Sequence, residues 1–400
     1  MFKAMDKWLI GYLKSVLHRP RRASGTRHLI FCLCDHYEPF RGGAEKQAAR
    51  QIVQKWIETY PKVVDGYFDA DGVPPQHTFF YPEEDYDDCI LDQLAGFCGR
   101  GFGEVEVHLH HRHDTAEGLR KKLEVFRDVL HQRHGLLGVE NAGTTDFRLK
   151  TIDQERDTAS PSISHSNVNG LRSTVSPVTP RYGFIHGNWA LCNSRPDGDW
   201  CGVNEELGVL VETGCYADFT FPSAPSATQP RMVNAIYYAK DRPGAPRGAD
   251  FGARVGVGGL SSLSSLLLIT GPLALNWRRR KWGVLPRVEN GDISGGNPPS
   301  AERVRLWVRQ EIGVRGKADW VFVKLYTHGC VPSNTSVVLG EGMRVLHETL
   351  QRDYNDGDRW QLHYVTAREM YNLVKAAEAG KEGTPGLWRD FMVGRPRVRG

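Results

Sequence analysis

The sequence predicts an α/β protein: a mostly parallel sheet covered by helices, with a closed or nearly closed β/α barrel as the preferred architecture. Three observations carry this. Strand-like apolar runs alternate with helix-like amphipathic runs about seven times, the pattern of parallel strands joined by helical crossovers. No Gly-x-Gly-x-x-Gly follows the first strand, which disfavours a dinucleotide-binding fold. Histidines and acids stand at the ends of the apolar runs, where barrel enzymes carry their reactive groups.

The elements follow in order. Residues 1–22 place Phe2, Met5, Trp8, Leu9, Tyr12, Leu13, Val16 and Leu17 at helical spacing ahead of a basic stretch. The pattern suits either an interfacial helix on an anionic membrane or a helix docked on its own domain. It lacks the apolar core and cleavage site of a signal peptide. The barrel domain is expected over 23–380. It opens with the strand HLIFCLCD (28–35), and the stripe Ile52, Val53, Trp56, Ile57, Tyr60 marks a helix. HTFFYP (77–82) and EVEVHLH (104–110) are further strands. Asp114 and Glu117 stand at capping-box spacing before a helix that Gly135 ends.

Residues 151–180, rich in Ser, Thr, Pro and Asn, and residues 241–257, rich in Gly, Pro and Arg, are expected as loop insertions. Between them lie the strand YGFIHGNW (182–189), a helix over 204–212 and the strand CYADFTFP (215–222). LLLITGPLAL (266–275) is expected as a buried strand and turn, because its apolar part is too short to span a bilayer. A helix near 300–312, the strand WVFVKLYTH (320–328), a helix over 341–354 and a closing helix capped by Thr366 and Glu369 complete the domain. Residues 381–400 form a tail.

The bulk numbers are those of an ordinary globule. A net charge of +4 over 400 residues gives no electrostatic case for nucleic acid. The eight cysteines contain no Cys-x-x-Cys pair and read as reduced core thiols of a cytoplasmic protein.

Strand alternation predicts that Leu29, Phe31, Leu33 and Asp35 share one face, and that Glu104, Glu106, His108 and His110 share another. His186, Asp218 and His328 end three more strands. Imidazoles and carboxylates gathered at one barrel mouth are ordinary ligands for a divalent ion such as zinc. Such an ion supports hydrolysis by polarising a carbonyl and acidifying water. His111 and His113 are expected to be solvated, and His131, His134, His347 and His363 to be structural.

With Asp35 in CDHYEPF, the histidines of HLHHRHD and the Leu325-Tyr326-Thr327-His328 run, the chain resembles the polysaccharide deacetylase superfamily over residues 28–375. The resemblance implies a distorted seven-stranded β/α barrel and a metal-dependent hydrolase that removes an acetyl group from a sugar, polysaccharide or glycolipid intermediate. It implies Asp35 as general base or ligand, His108, His110 and Asp114, with Asp35, as ligands of a divalent ion expected to be zinc, and His328 as general acid. His36, His186, Trp189, Asp218 and Pro222 would line the sugar pocket. The family's second acid is His36 here, and His110 with Asp114 stands nearest to its His-x-x-x-His. An exopolysaccharide role at the inner membrane face would use residues 1–22. A glycoside hydrolase on a related barrel and a non-catalytic saccharide-binding or scaffold protein are the alternatives.

Overall fold

The computed structural model describes residues 4–19, 25–141, 179–259 and 264–398, so most of the expected 151–180 insertion and part of the basic stretch before residue 23 lie outside the described residues. In chain order the elements are α1 (Met5–Leu17), β1 (Arg27–His36), α2 (Lys46–Val64), β2 (His77–Pro82), α3 (Asp88–Gly99) and β3 (Gly103–Leu109). Then come α4 (Ala116–Gln132), β4 (Tyr182–His186), α5 (Glu206–Glu212), β5 (Cys215–Asp218), β6 (Ile236–Ala239), β7 (Ala253–Arg254) and β8 (Leu266–Ile269). They are followed by β9 (Ala274–Lys281), β10 (Leu285–Glu289), β11 (Asp292–Ile293), α6 (Ala301–Val308), β12 (Trp320–Thr327), α7 (Pro332–Val338), α8 (Glu341–Tyr354), β13 (Trp360–Tyr364) and α9 (Ala367–Glu378).

The α/β expectation holds. One 11-stranded sheet runs β11-β12-β1-β2-β3-β4-β5-β8-β6-β7, with β13 beside β1. All its pairings are parallel except those of β6 with β8 and β7. The ladder is open among the described residues, and no closed seven-stranded barrel forms. The reason is edge occupancy. Antiparallel β6 takes the edge of β8 that closure would give to β12, and β11 takes the outer edge of β12. Lys324 of β12 reaches across instead, donating to the carbonyls of Phe219 and Phe221 beyond β5.

The sheet has two packed faces. On one, Leu29, Phe31 and Leu33 of β1 and Val105, Val107 and Leu109 of β3 meet the apolar stripes of α2, α3 and α4. On the other, Ile30, Cys32 and Cys34 join Phe80, Ile185, Ala217 and Phe322 around α9. Every residue of α9 is buried. Its capping box forms as expected from Thr366 and Glu369, and Arg368 and Thr366 bind Glu104 of β3 at 2.7 and 2.8 Å. Burial of that carboxylate is therefore paired. At α4 the cap is Thr115, which accepts from Gly118 N at 3.0 Å, rather than Asp114.

The expected 241–257 loop contains β7, which pairs with β6. The expected 381–400 tail is packed: Arg389 donates to Asp69 and Asp71 at 2.7 and 2.9 Å, and Met392 and Val393 are buried beside α9. Helix α1 docks through buried Trp8 against Ala224, Val233 and Leu273, while Ile10, Leu13 and Leu17 stay exposed. No helix among the described residues is long and apolar enough to cross a membrane. All eight cysteines are free thiols, and Cys32 and Cys34 lie 3.7 Å apart, Sγ to Sγ.

Candidate metal centres

Residue parity at the strand ends decides which side chains meet. His36 continues the α9 face of β1, and in register with it His328 continues that of β12, because Cys34 pairs with Tyr326 and Asp35 with Thr327. The two imidazoles stack with centroids 4.4 Å apart. His108 and His110 extend the same face of β3. Two residues past β1, Glu38 turns back into the group: its Oε1 lies 3.0 Å from His110 Nε2 and 3.4 Å from His108 Nε2. Potential ligand atoms of Glu38, His108 and His110 lie within 4.8 Å of one another, and so do those of His36, Glu38 and His328.

The outer nitrogens are already engaged. His108 Nδ1 donates to Ile185 O at 3.0 Å, and His110 Nδ1 is bound to the Glu84 carboxylate. A ring that gives its Nδ1 proton to an oxygen offers a lone pair at Nε2, as in metal-ligating histidines. Both Nε2 atoms face one carboxylate oxygen. Three acceptors so close need a shared proton or a cation. In a proton-only state, burial opposes charge on His110, but the bonds to Glu38 and Glu84 win and lift it to about 9. Burial likewise opposes the Glu38 carboxylate, yet His108 and His110 hold its pKa well below the usual range. Burial, helped by neighbouring imidazoles, drives His36 well down, and burial lowers His328 to about 4. His36 Nδ1 is buried without a hydrogen-bond partner. Neutral rings and an orphaned nitrogen fit a cation.

This mouth group opens into a cleft of about 670 Å³ bounded by Phe40, Arg41, Asp85, Trp189, Arg195 and Trp200. Burial, with Glu84 and Glu38 nearby, pushes the Asp85 carboxyl up to about 6.

The expected site residues separate. His36, His108, His110, His328 and Trp189 converge at the mouth. Asp35 does not: it lies on the opposite face of β1, where its carboxylate takes Gly329 N at 2.6 Å and meets His77 Nε2 at 2.9 Å. Both faces of a doubly buried strand are apolar, so alternation along HLIFCLCD does not reveal which one meets the mouth. Asp114 lies outside the mouth too, held by Lys122 Nζ at 2.8 Å and 3.5 Å from His111 Nδ1. Asp218 is buried, accepts from Thr220 N and Oγ1 at 3.1 and 2.7 Å, and is raised to about 7 by burial. Neither Asp218 nor Pro222 borders the cleft. Sequence reasoning did not place Glu38 among the metal ligands; its signal is a carboxylate just beyond the strand, inside CDHYEPF.

His186 belongs to a second group. Tyr182, Phe184 and His186 share the helix-covered face of β4, and His111 continues the corresponding face of β3. Expected in solvent, His111 is 3% exposed. Cys201 and Glu206 complete a buried His111–His186–Cys201–Glu206 cluster. A third group, Asp69, Asp71 and His363, is neutralised by Arg389 and reads as a structural network. Comparison with protein-family models and with curated proteins returns no match.

Proposed function

We propose that the mouth group is the active site of a metal-dependent hydrolase that removes an acetyl group from an acetylated sugar, the reading that the superfamily resemblance also implies. One observation carries it: the Nε2 atoms of His108 and His110 converge on Glu38 Oε1 at the floor of an open cleft. His108, His110 and Glu38 would hold the ion, with His36 and His328 on the opposite wall. When bound, a divalent ion, zinc by its preference for imidazole and carboxylate, supplies Lewis acidity to a carbonyl and acidifies water.

The remaining work falls to the chain. Asp85, raised to about 6, titrates just below neutrality and is suited to exchange a proton with a leaving group. His328, neutral above about pH 4, is better suited to accept or relay a proton than to act as a charged acid. Trp189 and Trp200 border the cleft and offer apolar ring surface to a sugar, while Arg41 and Arg195 at its edge are engaged by Glu38 and Asp197.

The test is acetate release from acetylated amino sugars by purified protein, with metal content measured on the same samples. His110→Ala should lose both metal from the mouth and acetate release; full activity in a metal-free protein would sink the reading. Glu38 and Asp85 in one cleft are the observation that favours a glycosidase, and reducing-end release without acetate would establish that alternative.

A further inference from the structure

We propose that His111, His186, Cys201 and Glu206 form a closed zinc site, separate from the mouth, that pins the 187–205 loop to the end of the sheet. The four residues are 3%, 0%, 0% and 0% exposed. His111 Nε2 lies 3.2 Å and His186 Nε2 3.8 Å from Glu206 Oε1, and Cys201 Sγ lies 3.3 Å from Glu206 Oε2. Tetrahedral zinc with bonds of about 2.0–2.3 Å has ligand–ligand edges of roughly 3.3–3.8 Å. The two imidazole–carboxylate distances fall at or close to that range, and one ligand atom from each of the four residues lies within 4.8 Å of the others.

Polar accounting points the same way. His186 Nε2, the atom that would bind the ion, is buried with no hydrogen-bond partner, a state that is costly unless something engages it. His111 Nδ1 faces the Asp114 carboxylate at 3.5 Å, the outer partner that orients a zinc-bound imidazole. Glu206 Oε2 accepts Cys192 N at 2.6 Å, which leaves Oε1 toward the imidazoles. His186 Nδ1 accepts Asn188 N at 3.2 Å. Ligation through Nε2 moves the His186 proton to Nδ1 and displaces that one contact.

Two imidazoles, a thiolate and a carboxylate suit zinc over calcium or magnesium, which take oxygen. Four protein ligands with no open position and no solvent make the site structural rather than hydrolytic. Its cargo is the loop. Residues 187–205 contain no helix or strand, and Trp189, Cys192, Asn193 and Trp200 all hold positive φ of 50–64°. Such backbone persists where its surroundings over-determine it. The same loop carries Trp189, Arg195 and Trp200 into the cleft.

Cobalt substitution of the purified full chain tests this, because only this cluster of those four combines sulfur with histidine. The wild type, fully loaded with Co2+, should show a near-ultraviolet sulfur-to-cobalt charge-transfer band with the intensity of one thiolate–cobalt bond per chain. The band should vanish in Cys201→Ser and survive in His110→Ala. A fully cobalt-loaded wild type without the band overturns the proposal, and so does a band unchanged in Cys201→Ser. The wild-type spectrum decides even if Cys201→Ser does not fold, and it is independent of acetate release, so this proposal and the hydrolase reading can fail separately.

Discussion

The end of β3 feeds two very different clusters. Its even residues, His108 and His110, join His36, Glu38 and His328 above the α9 face, where a cleft admits solvent and the set of donors is left open on one side. One residue later, His111 points through the other face of the sheet into a dry pocket closed by His186, Cys201 and Glu206. The chemistry of the donors is similar; the exposure is not. An open set can present a substrate to an ion, whereas a closed set spends every position on holding the fold. Exposure, more than donor type, separates reaction from support.

The largest expected effect lies in the open cluster. Glu38→Gln should lower acetate release by at least about 10²-fold, a loss that outweighs the destabilisation expected from unpairing a carboxylate held by His108, His110 and Arg41; a melting point lowered as much as in Glu206→Ala would erase the contrast. In the closed cluster the effect should be reversed in kind. Glu206→Ala removes the buried carboxylate that faces two imidazoles and the Cys192 N–H, and it should destabilise by about 3–5 kcal/mol, read by urea denaturation.

A third experiment uses a group outside both clusters as the control for burial alone. Glu106, fully buried, accepts from Gly183 N and Tyr216 OH, but burial dominates and lifts its carboxyl from 4.5 to about 8. With the folded pKa raised, its contribution to stability is full below about 4.5 and is lost as pH rises through 8. At about 1.4 kcal/mol per pKa unit, the loss is roughly 3–5 kcal/mol. Glu106→Gln should flatten that decline; an unchanged slope between pH 5 and pH 8.5 would show that the carboxylate is charged in the fold. The smallest effect belongs to the cleft rim, where Trp200 is 37% exposed. Trp200→Ala should raise KM about 2–5-fold, on the order of 1 kcal/mol, with kcat and melting temperature nearly unchanged.

Much of the architecture was legible because periodicity reports burial. The α9 capping box, the helix over 341–354 and the shared face of Glu104, Glu106, His108 and His110 all follow from local pattern. Alternation in EVEVHLH works because one of its faces is polar. HLIFCLCD offers no such contrast, and a one-residue error in parity exchanges Asp35 for His36. Sheet closure was beyond local pattern as well, since it turns on β6 reaching the edge of β8. Glu38, Cys201 and Glu206 lie in a turn, a loop and a helix start, where no strand periodicity points to a partner. The clue for His111 was its odd number two residues beyond β3, which continues the face shared by Val107 and Leu109.

The placement of α9 has a consequence for biosynthesis. Strand β1 is synthesised first in the sheet, yet its parallel neighbours β12 and β13 begin about 290 and about 330 residues later, and the helix filling its inner face follows β13. So many long-range closures slow folding. During translation the early strands wait with those edges uncovered until their partners have been made, the condition in which a chain most needs protection from pairing with its neighbours.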